Sequence, residues 1–272
     1  MLMACSDARP PVDVVERPLR VVSLDYCADQ FVIELLDRDQ ILAVSPDATA
    51  RFSYLREEAV GLPTVRAVAE DVLVLKPDLV VRSYGGGPNA RVFFEQAGIA
   101  VLNVGWASDI PGVMRVIEDM ATGLNVPDRG AAIVAAMHDR LAALADATDA
   151  LGLYMTPAGV TTGPGSLVHE MLVAAGLQNF QEAPGWRPIP LERLAYEQPD
   201  LVAAAFFETR SNHFNTWSPM RHPIARAQLD EQPVVPLEGA WTACGGWFLL
   251  DAIEALAGHE SESATTTGLG GG

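Results

Sequence analysis

Leu75-Lys76-Pro77-Asp78-Leu79-Val80-Val81 and Glu197-Gln198-Pro199-Asp200-Leu201-Val202-Ala203 carry the same phrase, 122 positions apart. Each copy follows a short amphipathic run, with a Glu (Glu70, Glu192) eight residues before the Asp. Proline lacks an N–H and disfavours helical geometry in its predecessor, so it ends the run. The apolar stretch that follows is what a parallel strand buried on both faces requires. Two helix–Pro-Asp–strand units predict two similar lobes, and two facing lobes make a cleft.

Working outward, the first lobe reads as a strand at Arg20-Val21-Val22-Ser23-Leu24 and a helix with Phe31, Val32, Leu35 and Leu36 on one face. Further strands follow at residues 41–44, 79–82 and 99–104. Strands alternating with helices of about ten residues mean βα units and a mainly parallel sheet. Residues 110–148 show helical periodicity only, broken by Gly123 and Pro127. The second of these helices, expected over 128–147, would span roughly 30 Å, enough to bridge two domains. Alternation then resumes with strands at 151–155, 201–206 and 234–237 and helices at 166–175 and 247–257. The predicted fold is α/β: two Rossmann-like lobes with mainly parallel sheets joined by a single long helix. The expected boundaries are a tether over 1–19, the first lobe over 20–108, a helical segment over 109–149, the second lobe over 150–259 and a disordered tail over 260–272.

Composition sets limits on function. The chain has 272 residues, 49% hydrophobic and 19% charged, with a formal charge of -17. Such a charge repels nucleic-acid phosphates, so no nucleic-acid partner is expected. No apolar run approaches the ~20 residues that cross a bilayer. The three cysteines (Cys5, Cys27, Cys244) have neither metal spacing nor a CxxC pattern. Leu2-Met3-Ala4-Cys5 resembles a bacterial lipobox, which would make Cys5 a lipidation site. A basic segment and most of an apolar segment are missing before it, so a trimmed start and a chance match both stay open. Cys27 reads as a small buried residue.

Ligands of parallel sheets bind beyond the C-terminal ends of the strands. Those exits carry Asp25, Tyr26 and Cys27, then Arg82, Ser83, Tyr84 and the Gly85-Gly86-Gly87 run, then Trp106. In the second half they carry residues 161–166, Phe207 with Arg210, and Trp241 with Cys244, while Trp186 and Arg187 lie in a loop before the second amphipathic run. The candidate ligand-binding set is Asp25, Tyr26, Arg82, Tyr84, Trp106, Trp186, Arg187, Arg210 and Trp241. Tryptophan offers a large flat surface, and arginine forks to carboxylate-like oxygens or stacks on rings. A charge on Arg82, directly after a buried strand, must pair internally, with Asp25 as one partner, or point into the cleft; the cleft is the expectation here. Gly85-Gly86-Gly87 matches no phosphate-binding motif and reads as a permissive turn. Gly163-Pro164-Gly165-Ser166 lacks the order of a nucleophile elbow. The five histidines show no metal-ligand spacing, and His169 alone is placed near the cleft. Trp217 and Trp247, in helical context, read as packing.

These residues resemble the substrate-binding proteins of bacterial ABC importers for ferric siderophores and vitamin B12. The resemblance is carried by Ser23-Leu24-Asp25-Tyr26-Cys27-Ala28-Asp29-Gln30, by the first Pro-Asp phrase, by Gly163-Pro164-Gly165-Ser166 with Ala174-Ala175-Gly176-Leu177-Gln178-Asn179, and by Trp241-Thr242-Ala243-Cys244-Gly245-Gly246. It covers residues 20–258 and implies binding, with no catalytic residue and no cofactor. The implied ligand is a metal chelate, ferric-siderophore-like, delivered to an ABC permease; cobalamin or haem is the alternative within the same fold. The family's ligand-contacting positions map onto Arg82, Tyr84, Trp106, Trp186 and Trp241. A first-lobe Trp of the cobalamin branch falls near Ser83 or Tyr84 here, a departure from that branch. A monomer in the periplasm, or at the membrane surface through a lipid anchor, is expected. The competing class is an α/β enzyme acting on a phosphorylated small molecule, with residues 85–87 as its phosphate loop.

Overall fold

The computed structural model of the protein covers residues 19–144, 147–205 and 218–268, with side chains described through residue 259. The first lobe contains β1 (Val21–Ser23), α1 (Tyr26–Leu35), β2 (Ile41–Ala43), α2 (Ala69–Leu75), β3 (Leu79–Arg82), α3 (Ala90–Gln96) and β4 (Ala100–Asn103). Two helices follow, α4 (Ile110–Gly123) and α5 (Pro127–Ala142). The second lobe holds β5 (Leu151–Met155), β6 (Val160–Thr162), α6 (Leu167–Ala174), β7 (Gln178–Asn179), β8 (Trp186–Pro188), α7 (Leu191–Leu194), β9 (Leu201–Ala204), α8 (Pro223–Glu231), β10 (Val234–Pro236), α9 (Gly239–Thr242) and α10 (Leu249–Gly268).

Both lobes have the same topology. The first sheet runs β2-β1-β3-β4 and the second β7-β5-β9-β10, every pair parallel. The Pro-Asp strands β3 and β9 occupy the same place, beside the lobe's first strand. The Asp explains why. Asp78 N donates to the Arg20 carbonyl while Asp78 Oδ2 accepts from Arg20 N at 2.9 Å. Asp200 N likewise donates to the Leu151 carbonyl, and its Oδ2 accepts from Leu151 N at 2.7 Å. Each Asp thus clasps the first strand at one residue and sets the register of the pair. Upstream, Lys76 takes a left-handed conformation (φ 48°) that closes α2 before Pro77.

Alternation along the strands divides the apolar side chains between two faces. Val21, Leu79 and Val81 enter one core, and Val22 and Val80 another with Val72 and Phe94. In the second lobe Leu201 and Ala203 join the first of these cores, while Val202 and Ala204 pack with Phe180 and Leu194. The core shared by both lobes also takes Phe31 of α1, Ile117 and Met120 of α4, Met137 of α5, Met171 of α6 and Ile253 of α10. The lobes therefore meet through a continuous apolar interior.

The connecting helix is α5, 16 residues long and so about 24 Å. It is shorter than the 128–147 expectation, ending at Ala142 with Ala143 as its C-cap. Its ends are fixed by arginines. Arg129 donates to the Leu35 carbonyl (2.8 Å) and to Asp37 Oδ1 (2.6 Å) of the first lobe. Arg140 donates to Glu254 Oε1 (2.6 Å) and Asp251 Oδ1 (2.7 Å) of the second. Asp251 Oδ2 also accepts from the Tyr54 hydroxyl of the first lobe at 2.8 Å, so three parts of the chain converge on one carboxylate. Gly130 lets α5 approach α4: a Cβ there would lie 2.4 Å from the Ala121 Cβ.

Two expectations change. The antiparallel ribbon β6–β8 takes Trp186 and Arg187, read above as loop residues, because three-residue strands containing a proline leave little periodic signal. The last helix continues to Gly268, into the stretch expected to be tail. A helix nucleated on a packed face adds one hydrogen bond per further residue, whatever that residue could bury. The tether with Cys5 lies outside the described residues.

Removing the Asp clasps should cost stability at both lobes. Asp78→Ala is expected to lower unfolding free energy by about 1–2 kcal/mol and the more solvent-exposed Asp200→Ala by about 0.5–1 kcal/mol, read by urea denaturation; no loss for either would contradict the clasp. A second prediction concerns Asp29, fully buried and accepting from Ser45 N (3.0 Å) and the Ser45 hydroxyl. Burial pushes its carboxyl up to about 6, against the hydrogen bonds from Ser23 and Ser45 that lower it. A raised carboxyl means that the folded state holds the proton more tightly, so the penalty is full above pH 6 and lifts as pH falls toward 4. Asp29→Asn should raise Tm over wild type at pH 7.5, with the gap roughly halved at pH 5 and closed near pH 4; a constant gap would refute the assignment.

Candidate functional site

The interface between the lobes opens into a cavity of about 400 Å³. From the first lobe it is lined by Cys27 and Phe31 of α1, Ser83, residues 104–107 after β4, and Val116 of α4. From the second lobe come residues 165–168 and Met171 at the start of α6, Gly185 and Trp186, residues 242–245 after α9, and Leu249. These are strand exits and helix starts of both lobes, where parallel sheets expose their connecting loops.

Trp106 and Trp186 dominate the walls, and both are unusually open for their type, at 84% and 60% exposure. Each indole presents apolar area that the described residues leave mostly uncovered. Trp186 stands edge-on to Tyr154, with ring centres 6.1 Å apart, and burial pushes the Tyr154 phenol up to about 12. The polar groups on the lining are the hydroxyls of Ser83, Ser166 and Thr242 together with backbone amides and carbonyls. No side chain carrying a charge lines the cavity among the described residues.

The first-lobe rim explains where the expected charges went. Asp25 is 3% exposed, and its carboxylate is occupied by backbone donors. Oδ1 accepts from Ala28 N (3.0 Å) as the N-cap of α1; Oδ2 accepts from Ser83 N (2.7 Å), Tyr84 N (3.0 Å) and Gly85 N (2.8 Å). Arg82, 8% exposed, holds the same loop by its carbonyls, donating from Nε to Gly85 O (2.7 Å) and from Nη2 to Gly87 O (3.0 Å). Arg82 therefore pairs internally and does not point into the cleft, and its partners are carbonyls, not Asp25. The turn reading of Gly85-Gly86-Gly87 fits what is seen: Gly86 and Gly87 have φ of +77° and +76°, and a Cβ on Gly85 would lie 2.5 Å from the Leu24 carbonyl. Carboxylate and guanidinium grip opposite sides of one peptide loop, which fixes Ser83 at the cavity rim.

Tyr26 and Tyr84 form an aromatic shelf beside this rim. Tyr26 is half-buried, edge-on to Phe52 (4.7 Å) and Tyr84 (5.9 Å). Both phenols are raised above their usual range, first by burial, then for Tyr26 by Asp25 and for Tyr84 by Tyr26. They act as neutral aromatic surfaces near neutral pH.

In the second lobe Trp241 is half-buried against the shared core, and it is its successors 242–245 that reach the cavity. Arg187 is exposed and donates to the Pro184 carbonyl at 3.2 Å. Ser166 caps α6, accepting from His169 N (3.2 Å) while its hydroxyl donates to the Gly163 carbonyl (2.9 Å). His169 Nδ1 sits 3.2 Å from the Asn179 amide nitrogen, off the lining. Trp247 packs edge-on against Phe31. Phe207, Arg210, His213 and Trp217 lie outside the described residues. Among those described, no group of three or more His, Cys, Asp or Glu side chains could hold a metal ion, and no helix is long and apolar enough to cross a membrane.

The sequence reading missed one feature of this cavity. Cys27 and Cys244, 217 residues apart with Cα atoms at 5.6 Å, form a disulfide across the two lobes. By the chain-entropy estimate a bridge of that span stabilises by about 5 kcal/mol. Sequence supplied no local signal for it; a cysteine at an equivalent exit of each lobe was the available hint.

Known proteins of two kinds resemble the chain. A cobalamin-binding protein of Halobacterium salinarum is 30% identical over 197 residues, 68% of this chain and 53% of that protein, so the chain spans about half the length of the curated relatives it matches. The haem-binding protein HutB of Vibrio cholerae shares the fold with a TM-score of 0.73 at 18% identity, covering 90% of this chain and 99% of that one. The vitamin B12-binding protein BtuF of Vibrio cholerae does so with a TM-score of 0.61 at 19% identity, covering 91% and 98%. Over residues 21–212, which carry the first lobe, the connecting helix and most of the second sheet, the sequence matches the periplasmic binding protein family, and the chain belongs to that family.

Proposed function

We propose that the protein is the extracytoplasmic binding component of an ABC importer and that its ligand is a corrinoid. The observation that carries this reading is the cavity wall: two exposed tryptophans, hydroxyls and backbone amides, without a charged side chain among the described residues. A corrinoid suits such a wall. Its periphery carries neutral amides that can pair with hydroxyls and peptide groups, its ring edge offers apolar area to indoles, and its cobalt brings its own ligands. A cavity of about 400 Å³ admits one edge of the macrocycle, the rest extending over the Tyr26–Tyr84 shelf. The 30% identity to a cobalamin-binding protein supports the same choice.

A ferric siderophore, the first expectation, has less support. An anionic chelate wants converging guanidinium groups, whereas Arg82 is committed to glycine carbonyls and Arg187 stays on the surface. Haem would need an axial ligand for its iron; no His lines the cavity among the described residues, and the phenols of the shelf, Tyr26 and Tyr84, are shifted away from the ionised form that binds iron. Delivery to a permease, a monomeric state and a lipid anchor at Cys5 are part of the same proposal. Family membership favours binding over the enzyme reading, which copurified nucleotide would revive.

Calorimetric titration with cyanocobalamin, a ferric hydroxamate siderophore and haemin decides among the ligands. Cyanocobalamin is expected to bind, and Trp106→Ala and Trp186→Ala are each expected to weaken it ten-fold or more, about 1.4 kcal/mol. Binding of haemin or the siderophore with no response to cyanocobalamin would overturn the proposal.

A further inference from the structure

The Cys27–Cys244 bond crosses from one lobe to the other at the cavity. Both cysteines line the cavity and both residues are part-exposed, which puts their disulfide at the wall of the cleft. Cys27 stands on the first turn of α1, a rigid element of the first lobe. Cys244 stands in the short connection between α9 and α10, which is the cavity wall 242–245. The hydrogen bonds described for that connection are local: Trp241 N to Glu238 O, Ala243 N to Gly239 O, the Thr242 hydroxyl to Glu238 O and Leu249 N to Gly246 O. The covalent bond is thus the strong tie between this wall and the opposite lobe, with the Phe31–Trp247 contact beside it.

The geometry points to a thiol–disulfide exchange site inside the ligand cleft, open to a small dithiol, whose reduction frees the wall 242–245 from the first lobe. In the exchange a reductant thiolate attacks Cys244 Sγ, the S–S bond breaks, and the electron pair leaves on Cys27 Sγ. The amides of the first turn of α1 favour that leaving thiolate, since the positive end of the helix lies there. Asp25 shares this helix end, but its carboxylate is held by four backbone donors. The second reductant thiolate then attacks the mixed disulfide and releases Cys244. The reductant ends as a cyclic disulfide, two electrons pass to the protein, and its two protons end on the cysteines. A corrinoid seated against the wall would cover the bond, a consequence that rests on the ligand proposed above.

The test uses the full chain with Cys5→Ser, so that Cys27 and Cys244 alone are read. Ligand-free protein is exposed to dithiothreitol, alkylated, and mapped by mass spectrometry, while circular dichroism follows the fold and hydrogen exchange follows residues 239–247. The expected result is alkylation of both cysteines with the circular dichroism unchanged and exchange at 239–247 at least ten-fold faster, β3 staying protected. The Cys27→Ser/Cys244→Ser double variant should show the same fast exchange without reductant. Alkylation only after denaturation, collapse of the dichroism on reduction, or unchanged exchange would each overturn the inference. Saturating cyanocobalamin should slow reduction at least ten-fold, and binding that leaves the rate unchanged would place the exchange site outside the ligand cleft. If the oxidised protein binds no cyanocobalamin, the corrinoid reading falls while the ligand-free result still judges the exchange site.

Discussion

One apolar interior runs through both lobes, and the shape of the molecule depends on it. The alternating side chains of β3 and β9 feed it from two sheets, and α1, α4, α5, α6 and α10 close it. Close-packed interiors shift between discrete arrangements and do not deform smoothly, so opening the lobes would expose core surface at roughly 25 cal/mol per Å². Arginine clamps at both ends of α5 and the Tyr54–Asp251 bond oppose the same motion. The cleft is accordingly a fixed feature of the fold, shaped before any ligand arrives.

That rigidity changes how the polar residues around the cleft should be understood. Asp25 and Arg82 sit at strand exits facing the cleft side of the sheet, yet both are spent on the loop between β3 and α3. Their reward is geometric: a glycine turn that would otherwise sample many conformations presents Ser83 in one place. With those charges internal, the described lining of the cavity offers indole faces, hydroxyls and peptide groups. An acidic chain whose cavity carries no charged side chain among the described residues suits a large neutral ligand better than an anionic one.

Much of the fold was legible because its signals are local. Pro77-Asp78 and Pro199-Asp200 mark a helix end and a strand start within a few residues, and the clasp each Asp makes is the physical content of the repeat. The site was legible only in outline. Trp106 and Trp186 were placed at the cleft by their position after or near strands, and both line it. The direction of Arg82 was not legible, since a guanidinium after a buried strand can satisfy itself on side chains, solvent or carbonyls, and only the curl of the glycine loop decides. The Cys27–Cys244 pair escaped for a different reason: a contact across 217 residues leaves no periodicity, and its two exits become neighbours only once the lobes are docked. The β6–β8 ribbon, three residues a side, fell below the length at which alternation can be seen.

A preformed cleft requires a fixed relation between the lobes. Spin labels at Val74→Cys and Tyr196→Cys, both strongly exposed and on different lobes, would report it by pulsed electron-spin distance measurement in a Cys5→Ser background. A fused interior predicts one narrow distance distribution, the same with and without added cyanocobalamin. A broad or two-peaked distribution, or a shift of several ångströms on adding the corrinoid, would show lobes that swing, and would contradict it.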